Sequence, residues 1–245
     1  MYSYLKHILA SCTILAIGMQ PIQAQQNSVS KTKDLVLNQA SVRYIKSIDM
    51  LVFELKVEGR AGHTVPEPAG EMDGAPVLGY VFPTTLNPND VGFSSDQGIV
   101  ALAATSHPDF DDTPLWDENN NNNFGDDGIV FHTHWVLLGP DERVAGGLSV
   151  IEIKKEDTAQ VLPPTAPGMP MYLDSPGFPV KLDRKTLQIA VPGSRVKSNV
   201  DFKYDGVTAY MEVNTSDESR PLLGVYEVYS VMSGDLSLPY AVKHK

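Results

Sequence analysis

Two histidines stand one residue apart in an apolar segment, Phe131-His132-Thr133-His134-Trp135-Val136-Leu137-Leu138. On an extended strand, side chains at i and i+2 point to the same face. Both imidazoles can therefore converge on one ion without a helix. Neutral imidazole is a borderline ligand that suits copper, zinc, iron or nickel, and a rim of Val and Leu limits access of solvent. Two nitrogens alone rarely hold an ion tightly, so a third ligand is expected elsewhere. His63 is the first candidate, because the turn Gly62-His63-Thr64-Val65-Pro66 can fix its ring. His107, in Ser106-His107-Pro108-Asp109, is a further one. A lone histidine has many roles that involve no metal. The paired spacing on an apolar strand is what favours ligation.

Directly before the pair runs an acidic, Asn-rich segment, Asp117-Glu118-Asn119-Asn120-Asn121-Asn122-Asn123-Phe124-Gly125-Asp126-Asp127-Gly128. Asp117, Asn119, Asn121 and Asn123 alternate, with Asp126 and Asp127 close behind. Alternate side chains of a curved loop can give calcium the six to eight or so oxygens it takes. The EF-hand pattern fails at two places: Asn122 stands where the turning glycine belongs, and Gly128 where the bidentate glutamate belongs. Asn tolerates the left-handed conformation, so the turn survives the first departure. The bland alternative is a solvated turn built from good turn formers. Asp109, Asp111 and Asp112 are near enough to join such a site or merely decorate the surface.

The elements that must position these groups read as strands. Leu51, Phe53, Leu55 and Val57 alternate with Val52, Glu54, Lys56 and Glu58, the pattern of a half-buried strand. Short apolar runs at 77–82, 99–103, 128–138, 148–153, 187–191, 208–213 and 225–231 are bounded by Gly, Pro and Asp. The run at 148–153 follows Gly146-Gly147 and is placed to pair with the histidine strand as a hairpin. On that histidine strand, Phe131, Thr133, Trp135 and Leu137 share one face; His132, His134, Val136 and Leu138 share the other. No long amphipathic helix is evident. Many short strands between turn signals predict an all-β fold, a sandwich or a barrel, and an antiparallel β-sandwich-like single domain over 34–245 is the reading adopted. The proline-rich stretch 162–179 is expected to be a long loop within that domain rather than a linker or a central strand.

The first residues read as targeting. Lys6 precedes a short apolar run, and Ala24 ends a plausible cleavage site, so 1–24 are expected to be a signal peptide, followed by a flexible polar arm at 25–33. The protein is then expected to be secreted, held at the outer cell surface, or periplasmic. Cys12 is the only cysteine and lies in the leader, so disulfides and thiolate sites are excluded from the mature chain. Stability must come from a sizeable core, with bound metal as a further contribution. Loss of Lys6 with the leader leaves 18 basic against 30 acidic residues, a formal charge of −12. That balance argues against nucleic acid and anionic membranes as partners and suits cations. No later stretch approaches the roughly 20 apolar residues of a membrane span.

The segment from Gly62-His63-Thr64-Val65-Pro66-Glu67-Pro68 to Phe82-Pro83, the calcium-like loop and His132-Thr133-His134-Trp135 together resemble the MopE/CorA surface-associated copper-binding proteins of methane-oxidising bacteria. The resemblance covers residues 40–155 best. It implies a mostly β core, a copper ion held as Cu(I) by two histidines and an oxidised tryptophan (kynurenine), and bound calcium. His63 resembles the isolated ligand histidine, and one member of the His132/His134 pair resembles the second. The family's modified tryptophan lies two residues before a ligand histidine. Here that position is His132 or Val130, and Trp135 points to the opposite strand face. The resemblance therefore implies a three-histidine site in which a histidine replaces the kynurenine.

The functional expectation is a copper-binding protein for capture or storage, with copper as Cu(I) or Cu(II) on His63, His132 and His134. Calcium is expected on Asp117, Asn119, Asn121, Asn123, Asp126 and Asp127. Two other classes compete. A three-histidine ion with an open position, as in the zinc arrangement of carbonic anhydrases, activates water or dioxygen, with Glu67 as the first candidate base. A calcium-stiffened adhesion module with incidental histidines is the third.

Overall fold

The computed structural model describes residues 29–113, 115–154 and 160–245. The expected leader at 1–24 and residues 25–28 of the arm lie outside the described residues. Fourteen strands follow in chain order. The first five are β1 (Leu37–Ile45), β2 (Met50–Val57), β3 (Pro76–Pro83), β4 (Ile99–Ser106) and β5 (His132–Pro140). Next come β6 (Leu148–Val150), β7 (Leu173–Asp174), β8 (Val180–Asp183), β9 (Thr186–Pro192) and β10 (Lys203–Tyr204). The last are β11 (Val207–Val213), β12 (Leu223–Val231), β13 (Tyr240–Ala241) and β14 (Lys243–His244). Helical structure among the described residues is confined to short 3₁₀ turns.

The all-β expectation holds, but the architecture is a closed barrel and not a simple sandwich. Six strands run β4-β3-β11-β12-β6-β5, and β4 pairs with β5 to shut the ring. Closure leaves the sheet with no free edges over its paired length. A second sheet, β14-β1-β2-β9-β8, packs against the outside of the barrel. The hairpin expected between the histidine strand and 148–153 is present, with Leu138 opposite Val150. Strand β7, from the proline-rich stretch, takes the same edge of β5 nearer the histidines, at Trp135 and Val136. Apart from β7 the described part of that stretch is irregular and carries no long strand.

Period-two alternation splits the apolar side chains into two cores. Leu78, Tyr80, Phe82, Leu102, Trp135 and Leu137 leave the barrel and meet Leu51, Phe53, Leu55 and Ile189 of the second sheet. Phe53 sits at the centre of that layer, edge-on to Phe82 and Trp135 and stacked on Phe202. Each such fully buried side chain contributes about 1.5–3 kcal/mol by leaving water. The alternate residues Val77, Val81, Ala101, Ala103, Val136, Leu138, Val207, Ala209, Met211 and Val225 fill the barrel interior. The two faces assigned to the histidine strand from its sequence are those two cores. His132 and His134 therefore point into the barrel, and Trp135 points away from them.

Candidate metal centre

Three strand-borne imidazoles and one loop carboxylate meet at one end of the barrel interior. His132 and His134 come from β5, and His107 directly follows β4. Antiparallel pairing sets Thr105 opposite His132 and Ala103 opposite His134. His107 is two residues beyond Thr105 and lies on the same face. Asp112 enters from the loop between these strands. The ligand atoms of His107, Asp112, His132 and His134 all lie within 4.8 Å of one another. All four residues are buried, at 1%, 6%, 1% and 2% exposure.

The distances are those of a coordination shell. Nε2 of His107 and Nε2 of His132 are 2.9 Å apart. Oδ1 of Asp112 lies 3.4 Å from Nε2 of His107, 3.1 Å from Nε2 of His132 and 3.6 Å from Nε2 of His134. With metal–nitrogen distances of about 2.0–2.1 Å, neighbouring ligand atoms fall about 2.9 Å apart at a right angle and about 3.3 Å apart at the tetrahedral angle. The His107–His132 and His132–Asp112 separations fall inside that interval, and the others are longer.

The outer nitrogens fix the tautomers. Nδ1 of His107 is 2.9 Å from the carbonyl of Phe110, and Nδ1 of His132 is 2.7 Å from the carbonyl of Val130. A carbonyl only accepts, so both Nδ1 atoms carry hydrogen, and in the neutral rings both Nε2 lone pairs face inward. Nδ1 of His134 meets the hydroxyl of Ser175 at 3.1 Å and the backbone of Asp174. Its Nε2 is buried with no hydrogen-bond partner. Second partners of this kind orient histidine ligands in metal sites. Two imidazole lone pairs 2.9 Å apart repel unless a proton or a cation lies between them.

Electrostatics in the cluster agree with that geometry. Burial alone would push the Asp112 carboxyl up, but the charges of the His134 and His107 rings and hydrogen bonds from His107 and His132 hold it well below the usual carboxylate range. Burial pushes His132 down, yet its hydrogen bond to Asp112 and the charge of Asp112 carry it above the ordinary value. Burial dominates at His134 and takes it down to about 3.

Local sequence explains how the loop delivers its ligand. Asp111 Oδ1 accepts from the backbone N–H and the hydroxyl of Thr113 at 2.8 and 2.9 Å, closing a tight turn that points Asp112 inward. Phe110 stacks on the His107 ring with centroids 4.1 Å apart. Gly128 lies so close beneath this turn that an added Cβ would stand 2.0 Å from the Phe110 carbonyl oxygen and 2.5 Å from that of His107. On the other strand face, the hydroxyl of Thr133 accepts from the N–H of Phe178 at 2.9 Å and pins the loop that carries Ser175.

The expected third ligand is not part of the cluster. His63 sits in a turn after β2, its side chain 61% exposed, with Nδ1 3.4 Å from Oδ2 of Asp34. The structure brings His132 and His134 together and puts His107 and Asp112 where His63 was expected. Glu67, the base considered for an enzymatic reading, is exposed in the irregular segment after β2. The acid that does approach is Glu118. Burial pushes its carboxyl up, and its Oε1 is buried without a hydrogen-bond partner. Trp135 lies in the outer core beside Phe53 and Phe178.

The Asn-rich loop is organised on its own backbone. Asp117 accepts from the N–H of Asn121 at 3.0 Å and of Asn122 at 2.8 Å. Asn122 adopts the left-handed conformation, φ 66°, at the position of the turning glycine. Asn119 and Asn121 donate their side-chain amides to Asp126 at 2.9 Å. Asn121 Oδ1 accepts from the N–H of Asn123. Asp127 faces the other way, is fully buried, and accepts from the N–H groups of Glu118 and Asn119. The loop joins the histidine cluster through the N–H of Asp127, which donates to Asp111, and the carbonyl of Gly128, which accepts from His107.

No family model, curated protein or solved structure matches this chain.

Proposed function

We propose that the protein holds one divalent transition-metal ion through Nε2 of His107, His132 and His134 and a carboxylate oxygen of Asp112. The observation that carries this reading is the convergence of three Nε2 atoms whose outer nitrogens are each already engaged. Three borderline nitrogens and one hard oxygen suit Cu(II) or Zn(II) better than Cu(I), which prefers softer sulfur ligands. Copper remains the first choice, supported by the resemblance noted above, with a ligand set of three histidines and an aspartate. Hydrolytic zinc centres keep three protein ligands and a bound water, whereas four protein ligands meet here. That favours binding and retention of the ion over hydrolysis. Electron paramagnetic resonance of the Cu(II)-loaded protein tests this. Hyperfine coupling from three imidazole nitrogens is expected, falling to two in His134→Ala. A spectrum without nitrogen coupling defeats the assignment.

Calcium in the 117–127 loop is a second element of the reading. It is supported by the left-handed Asn122 and by the gathering of Asp117, Asn119, Asn121 and Asp126 into one turn. Its role would be to stiffen the segment that seats Asp127 and Gly128. Calcium titration should raise the thermal midpoint of the native protein and not that of Asp117→Ala. Equal response of the two proteins rejects it.

A further inference from the structure

The metal cluster does not face bulk water. His107, Asp112 and His134 form part of the wall of a cavity in the barrel interior, of about 70 Å³. Its remaining wall is apolar: Val77, Val81, Ala103, Ala209, Met211 and Val225 are among its residues. Small side chains create the space. Gly79 and Ala209 stand opposite each other on β3 and β11, level with Thr105 and His132. An added Cβ at Gly79 would lie 2.9 Å from the end of Met211. Two buried polar atoms on this wall, Oγ1 of Thr105 and Nε2 of His134, have no hydrogen-bond partner. Buried polar atoms without partners are rare and call for an explanation. Nε2 of His134 is assigned to the ion above, which leaves the Thr105 hydroxyl as the unpaired polar group facing this cavity.

We propose that the barrel interior is a binding chamber for a small uncharged molecule with an apolar body and one oxygen donor, a short-chain primary alcohol or the corresponding aldehyde. The oxygen would take a further position on the ion, beside the Thr105 hydroxyl, and the hydrocarbon body would lie along the apolar wall. This rests on the metal reading above and adds the ligand class. Size sets the limit. A cavity of about 150 Å³ holds a six-carbon ring, so one of about 70 Å³ takes about three heavy atoms. Charge sets the class, since a charged tail in this interior would lose its hydration with no partner to replace it. A dry apolar cavity readily accepts such a body. Cu(II) and Co(II) both accommodate an added oxygen ligand.

The test uses full-length protein loaded with Co(II), whose visible spectrum reports its ligands, titrated with 1-alkanols from methanol to 1-octanol. Affinity should rise about fourfold per added methylene, peak near ethanol and fall beyond it. Ala209→Leu should move the peak to a shorter alcohol, and Val225→Ala to a longer one, each with one cobalt retained. Protein that takes up no cobalt defeats the metal reading and this proposal with it. Protein that takes up one cobalt but whose spectrum ignores every alcohol, or whose chain-length peak is the same in both variants, defeats this proposal alone.

Discussion

Replacing Gly128 by alanine should damage a metal centre to which Gly128 contributes no ligand. The new methyl would start 2.0 Å from the Phe110 carbonyl oxygen and 2.5 Å from the His107 carbonyl oxygen. Real contacts of this kind are not found below 3.0 Å, so backbone must retreat by about 1 Å. Both oxygens belong to rigid parts. The Phe110 carbonyl holds Nδ1 of His107, and the N–H of His107 donates to Gly128 itself at 2.7 Å. Retreat therefore weakens the bond that orients His107. Overpacking of this severity costs about 3 kcal/mol, which lowers the melting temperature by about 6–12 °C for a domain of this size. Loss of an outer partner of a ligand histidine weakens metal affinity by about 10- to 100-fold. Competitive copper titration against a chelator of known affinity, on protein whose circular dichroism remains native, measures the second effect. Native copper affinity in Gly128→Ala would refute the claim that the Phe110 turn sets the His107 ligand.

Other consequences follow from the same structure. An ion that binds the folded protein alone, as proposed, should at about 100 times its dissociation constant add about 2.7 kcal/mol of stability. Calorimetry with and without chelator should then show a shift of about 5–11 °C, absent in His132→Ala; an equal shift in that variant contradicts the site. Trp135→Phe should cost about 2 kcal/mol through the cavity it leaves, because the indole Nε1 makes no hydrogen bond. Its metal content should stay native, since the ring faces the outer core; loss of metal from folded Trp135→Phe would contradict the two-faced strand. Hydrogen bonds from Arg143 hold the Asp141 carboxyl well below the usual range, against its burial. A depressed carboxylate stabilises above its unfolded value near 3.9 and loses that contribution as the pH falls through its folded value. Asp141→Asn should therefore melt about 2–4 °C lower than wild type at pH 6, for a contribution of about 1 kcal/mol after discounting the exposure of Arg143. The gap should narrow as the pH falls below about 4, and a gap that stays constant from about pH 6 down to about pH 2 rules this pairing out.

Period two carried most of what the sequence revealed. Leu51, Phe53, Leu55 and Val57 all point inward from β2, as their alternation required. The split between His132/His134 and Trp135 followed from the same rule. Barrel closure was not legible, because the pairing of β4 with β5 depends on contacts across an intervening segment of more than 20 residues with no periodicity. β1 was missed since Asn38, Gln39 and Ser41 break its apolar pattern. Its partner surface is supplied by β2 and not by its own alternation. The series Ala101, Ala103, Thr105, His107 does alternate. Extended one residue past β4, it would have placed His107 on the histidine face. Asp112 had no local signal. It is one acid among several between 109 and 127, and only the Asp111–Thr113 turn sends it inward. His63 drew attention for its turn, yet that turn stands in solvent after β2, tied to Asp34.

The central claim is most directly tested by metal analysis of protein purified without chelator, as wild type, His107→Ala and His63→Ala. The site predicts one tightly bound transition-metal ion per chain in wild type and in His63→Ala, and its loss in folded His107→Ala. Retention of the ion in His107→Ala with loss in His63→Ala would contradict the account.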